Sequence, residues 1–146
     1  MSNSKPLVHD DSSGFHFAQE MLDGDITAAI NFDRIQKHPK LGYIIFEYLL
    51  CEERQFSRNI HPYTSHPSRY WHLNSRKFIS LWEVAKDLKA TLYLVNYSKK
   101  GTRYEDEILL IKVIDLDSNG IKKEEKEKYT REEFKKWFRQ LNQECL

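Results

Sequence analysis

The apolar positions of this chain change period several times, and each change marks a new element. GFHFAQEMLDG predicts a short helix ended by Gly24, whereas ITAAINFDRI alternates small or polar residues with apolar ones, as a strand does. HPKLG supplies a turn into YIIFEYLLC, a strand apolar on both faces. Phe78, Leu81, Trp82, Ala85 and Leu88 then recur at helical spacing behind Asn74 or Ser75, either of which can cap the helix. TLYLVNY reads as a strand, KKGTRYED as a polar turn, and EILLIKVIDLD as a central or nearly central strand. SNG marks another turn, and KKEEKEK reads as a solvated connection. In the last helix, Thr130 and Glu133 form a capping-box pattern ahead of a buried stripe of Phe134, Trp137, Phe138 and Leu141.

The expected order is αββαββα, an α+β domain over residues 14–146 whose mixed or antiparallel sheet is packed by helices. Residues 1–13, rich in Ser, Asn, Asp and Lys, read as a disordered tail. With 146 residues the chain suits one compact domain, and 40% hydrophobic content supplies a core for it. Two cysteines, Cys51 in an apolar run and Cys145 near the end, are too few for a disulfide framework, so a reducing, cytoplasmic setting is expected. No apolar run approaches the roughly 20 residues that span a bilayer, so no membrane partner is expected.

The net charge is only +1, so any affinity for a polyanion must come from the arrangement of charge. From Arg54 to Trp82 there is no acidic residue, while Arg54, Arg58, Arg69, Arg76, Lys77, His61, His66 and His72 fall in that stretch. Such a positive stripe, threaded with aromatic and hydroxyl side chains, can neutralise phosphates and stack bases. Arg69, Tyr70, Trp71, His72 and Arg76 are therefore the candidate nucleic-acid contacts, for DNA or RNA. The bland alternative is a solvated loop, or a dock for an acidic protein partner. The histidines lack a zinc-ligand spacing, and Pro62 and Pro67 after two of them favour extended backbone with turns.

Glu47 is unexpected among Ile44, Ile45, Phe46, Tyr48, Leu49 and Leu50, because a buried carboxylate costs several kcal/mol unless a cation or donor meets it. A salt bridge to Arg34 or Arg69 would compensate it, and so would a divalent metal. Asp33, near the end of the preceding strand, can converge on Glu47 through the HPKLG turn if the register brings both to one face. Glu20 on the first helix is a candidate third oxygen ligand. No phosphate-cradling glycine loop, dinucleotide-binding glycine motif or nucleophile elbow is present.

Over roughly residues 15 to 97 this arrangement resembles the PD-(D/E)XK nuclease superfamily: a helix, strands carrying an acid pair at Asp33 and Glu47, a basic helix, and the strand TLYLVNY. The resemblance implies Mg²⁺ bound by the acid pair and a lysine that orients or activates water. The lysine expected beside the second acid is Leu49 here. Divergent members carry it on the following helix, where Lys77 would take its place. The family core also has a further strand ahead of that helix, which the basic segment would have to contain. The expectation is a nucleic-acid-processing protein, a divergent Mg²⁺-dependent nuclease with Asp33, Glu47 and Lys77 as its catalytic set. The alternative is a non-catalytic module on a nuclease-like scaffold that binds nucleic acid or protein, which the replacement of the lysine by Leu49 favours.

Overall fold

The computed structural model describes residues 12–146, so the tail reading lies, for residues 1–11, outside the described residues. The chain divides into two compact units, one up to Asn31 and one spanning Phe32–Cys145. In the first, helix α1 (Ser13–Leu22) buries none of its residues and ends on Asp23, whose left-handed backbone (φ 47°) passes the chain to Gly24. The strand expected over residues 26–35 does not form across that span; strand β1 covers only Arg34–His38. Alternation stabilises a strand only when one face is covered, and Ile26 is 96% exposed.

The second unit is an α+β fold built on one five-stranded sheet. After β1 come β2 (Gly42–Leu50), helix α2 (Trp71–Leu88), β3 (Thr91–Tyr97), β4 (Ile108–Asp117), β5 (Gly120–Tyr129) and helix α3 (Arg131–Glu144). The strands lie in sequence order; β2 and β3 are parallel and every other pair is antiparallel. A parallel pair needs a long crossover, and residues 51–90, with α2, provide it. The tight turn after His38 delivers β2 through Gly42, whose φ of 79° suits glycine.

The element order carries one strand more than expected. KKEEKEK is solvent-exposed, as read, yet it hydrogen-bonds to β4 as edge strand β5, with Lys112 opposite Glu125 and Ile111 opposite Lys126. Dense charge suits an edge because it discourages pairing with another chain. Helix α2 also starts earlier than expected, at Trp71, so Asn74 and Ser75 lie inside it rather than capping it. A short 3-10 helix, Pro67–Tyr70, leads into it, and the His66 ring accepts a hydrogen bond from the Ser68 N–H at its start. The basic segment holds this helix and another at Glu53–Arg58, and no strand.

Each sheet face has its own core. Ile45, Leu92, Leu94, Leu109, Ile111 and Val113 pack with Phe78, Leu81 and Ala85 of α2. On the opposite face, Ile44, Phe46, Val95, Ile108 and Leu110 meet Leu141, Phe134, Trp137 and Phe138 of α3. The capping box of Thr130 and Glu133 starts α3, as the sequence indicates. Because β2 is covered on both faces, an ionised group on it must find its partner inside the fold. No helix among the described residues is long and apolar enough to cross a membrane.

Candidate functional site

The β1–β2 register sets Arg34 opposite Phe46, and one further step puts Asp33 opposite Glu47. Directly opposed residues of an antiparallel pair project from the same face. Asp33 lies just before β1, at its start rather than near the end of a longer strand, and its Oδ2 accepts a hydrogen bond from the Tyr48 N–H at 2.8 Å. The exposed Asp33 is thereby fastened to the neighbour of Glu47, beside which its own carboxylate lies.

Glu47 is only 3% exposed. Neither Arg34 nor Arg69 compensates it; the Lys77 Nζ does, 2.6 Å from Oε2, reaching down from the first half of α2. Arg34 instead donates to Gln36 and Asn142 and lies over the Phe138 ring, while Arg69 stacks on Tyr70 and donates to Ser65. Burial pushes the Glu47 carboxyl up to about 7; the Lys77 ammonium opposes this rise and the Asp33 carboxylate adds to it. Burial likewise pushes the neighbouring Tyr70 hydroxyl up to about 12, opposed by Arg69. Two acids, one buried with its proton affinity poised near neutrality, thus face one half-exposed lysine.

Such a donor set fits Mg²⁺, which commonly takes one or two carboxylates, keeps several waters and fills its remaining positions with phosphate oxygens. Its buried negative charge is one that a divalent cation would compensate more fully than a single ammonium. Glu20 is exposed on α1, in the other unit, and no group of three or more His, Cys, Asp or Glu among the described residues is placed to hold a metal ion. Within the second unit the carboxylate oxygens of the site are those of Asp33 and Glu47.

The stripe is less positive than its sequence. His61 Nδ1 lies 2.5 Å from Glu107, with the ring stacked on Tyr104. His66 takes the Ser68 N–H on Nδ1, which leaves its proton on Nε2, directed at Glu124 2.6 Å away. Arg54 pairs with Glu52, and Lys77 with Glu47. One continuous positive face therefore does not form, because acids from outside the stretch fold back onto it. Arg58, Arg69, His72 and Arg76 remain exposed, with no ion-pair partner among the described residues.

Trp71 is not available for stacking a base. It is 9% exposed, lies parallel to Phe78 with ring centroids 5.5 Å apart, and donates its indole N–H to the Ser118 carbonyl. Tyr70 is half-buried against the same core, which leaves Arg69, His72 and Arg76 as the surface members of the predicted contact set. Cys51 is buried, as expected of a core thiol. Glu107 and Glu124 are the residues that local reading overlooks, because both lie far along the chain from the acid-free stretch that ends at Trp82. No protein-family model, no curated protein and no solved structure matches this chain.

Proposed function

We propose that this protein is a Mg²⁺-dependent phosphodiesterase acting on nucleic acid, with Asp33, Glu47 and Lys77 as its working set. The observation that carries this reading is the buried Glu47, held between a second carboxylate and a lysine that is 46% exposed. Asp33 and Glu47 would hold the cation, and Mg²⁺ would supply charge neutralisation at the phosphate and a more acidic water. With the cation held, the Glu47 carboxylate would serve as its ligand rather than as a base, and the proton of the attacking water would pass to solvent. Lys77, anchored on α2 with its ammonium at the surface, can turn from Oε2 to a non-bridging phosphate oxygen. That water oxygen bonds to phosphorus, the P–O ester bond breaks, and the leaving oxygen takes up a proton from solvent. Arg69, His72 and Arg76, exposed on the approach to α2 and in its first turns, would hold the strand by its phosphates.

Incubating the protein with single- and double-stranded DNA and RNA in Mg²⁺, Mn²⁺ or EDTA tests the reading. Metal-dependent cleavage that Glu47→Gln abolishes is the expected result. The direct Glu47–Lys77 pair also favours a second reading, in which the lysine serves as the permanent counter-ion of a non-catalytic nucleic-acid- or protein-binding module. Binding without cleavage under every metal condition would select it.

A further inference from the structure

On the sheet face away from Glu47, a cleft of about 370 Å³ opens between α3 and the ends of β2, β3 and β4. Its walls are the rings of Tyr48, Tyr97 and Phe134 over a floor of Val95 and Ile108. Arg131 and Lys135, one helical turn apart, stand at its α3 side, and the lining contains no carboxylate. Arg131 is fixed in place by donating to the carbonyls of Ser98 and Glu105, at 3.1 and 2.6 Å, which leaves other guanidinium N–H groups uncommitted. Lys135 meets Glu132 only in a solvent-exposed pair, a weak contact that a stronger anion can displace. The hydroxyls of Tyr48 and Tyr97 have no hydrogen-bond partner among the described residues, although every fully buried polar side-chain atom there has one.

Aromatic faces, an apolar floor, two unused hydroxyls and a pair of cations together call for a planar ring carrying an anion. We infer that this cleft binds a nucleoside 5′-monophosphate group, with the base among Tyr48, Tyr97 and Phe134 and the phosphate at Arg131 and Lys135. The group can come from a free nucleotide or from the phosphorylated end of a strand. The inference does not rest on the carboxylate site.

Titrating the full chain with AMP, UMP, adenosine, inorganic phosphate and a 5′-phosphorylated dinucleotide, followed by NMR of the residue 131–135 amides, tests it. The mononucleotides should saturate those shifts, with adenosine and phosphate alone about tenfold weaker or worse. Lys135→Glu, an exposed substitution, should weaken AMP by about tenfold and Tyr97→Leu by a similar factor, while Glu47→Gln leaves the affinity unchanged. Tighter binding of the dinucleotide assigns the strand end as ligand, and tighter binding of AMP assigns the free nucleotide. Absence of saturable shifts with either mononucleotide, or equal AMP affinity in a folded Lys135→Glu variant, overturns the proposal.

Discussion

Glu47 and Lys77 form an ion pair of unequal members: the carboxylate is 3% exposed, the lysine side chain 46%, and 2.6 Å separates Oε2 from Nζ. The acid carries nearly all the desolvation, so the pair is held at the cost of the residue that cannot retreat to water. Asp33, a like charge beside it, sharpens the conflict. Proteins that keep such strain commonly do so at sites of function.

Glu47→Gln should stabilise the fold at neutral and alkaline pH. Burial raises the Glu47 pKa from 4.5 to about 7, so between these values the folded chain holds a proton that the unfolded chain has released. The stability linked to this group is complete below 4.5 and is lost as pH rises through about 7. Glutamine does not ionise, so at about pH 8 the variant should be more stable by about 1–2 kcal/mol, the gap closing near about pH 5. Urea unfolding across that range measures it; a variant less stable than wild type at about pH 8 would make the ion pair a net structural support.

Lys77→Met removes the ammonium while keeping the apolar stem. It should bind Mn²⁺ at least as tightly as wild type, since a competing cation has gone, yet cleave more slowly. Calorimetric Mn²⁺ titration beside single-turnover cleavage separates the two effects. Equal loss of metal affinity and rate would assign Lys77 to positioning the carboxylates instead.

Metal should also register in thermal stability. Saturating Mn²⁺ is expected to raise the melting temperature of the wild type, more at about pH 8 than at about pH 6, because the metal displaces a proton from Glu47. Asp33→Asn preserves an oxygen for the Tyr48 N–H but lacks the charge, and its melting temperature should respond little. A full Mn²⁺ response in Asp33→Asn would remove Asp33 from the ligand set.

Much of this site is legible in the sequence because its geometry is local. A polar turn at HPKLG fixes how β1 and β2 pair, and an acid inside an apolar run announces a buried carboxylate. What escapes is long-range. His61 meets Glu107 and His66 meets Glu124 across separations that no window of the chain contains, so the stripe reads as cationic when half its partners lie elsewhere. Trp71 misleads for a related reason: basic neighbours suggest a stacking surface, while Phe78 and the Ser118 carbonyl draw the indole inward. Strand β5 has no apolar alternation to reveal it, since an edge needs only backbone bonds to β4.

Arg69→Ala with Arg76→Ala should lower nucleic-acid affinity and reduce the log-log salt slope by about 0.9 per lost phosphate contact on duplex DNA. Lys77 is left intact so that the carboxylate pair keeps its partner. Fluorescence anisotropy at several salt concentrations reads the slope; an unchanged slope in the folded double variant would move the nucleic-acid surface elsewhere.

His66→Ala should destabilise the fold by about 1–2 kcal/mol, since it deletes both the acceptor for the Ser68 N–H and the bond to Glu124. A double-mutant cycle with Glu124→Gln should show coupling. Strictly additive losses would mean that the imidazole only caps the short helix.

The parallel pairing of β2 with β3 bears on the order of assembly. Hairpin β1–β2 closes over a turn of a few residues, whereas α2 must dock and the whole crossover must settle before β2 meets β3. Local closure is fast and non-local closure slow. Asp33 and Glu47 should therefore be brought together early, on one hairpin, with Lys77 arriving late. During that interval two like charges face each other without a counter-ion, so mild acid, or a divalent cation captured by the nascent hairpin, should speed the route to the native chain.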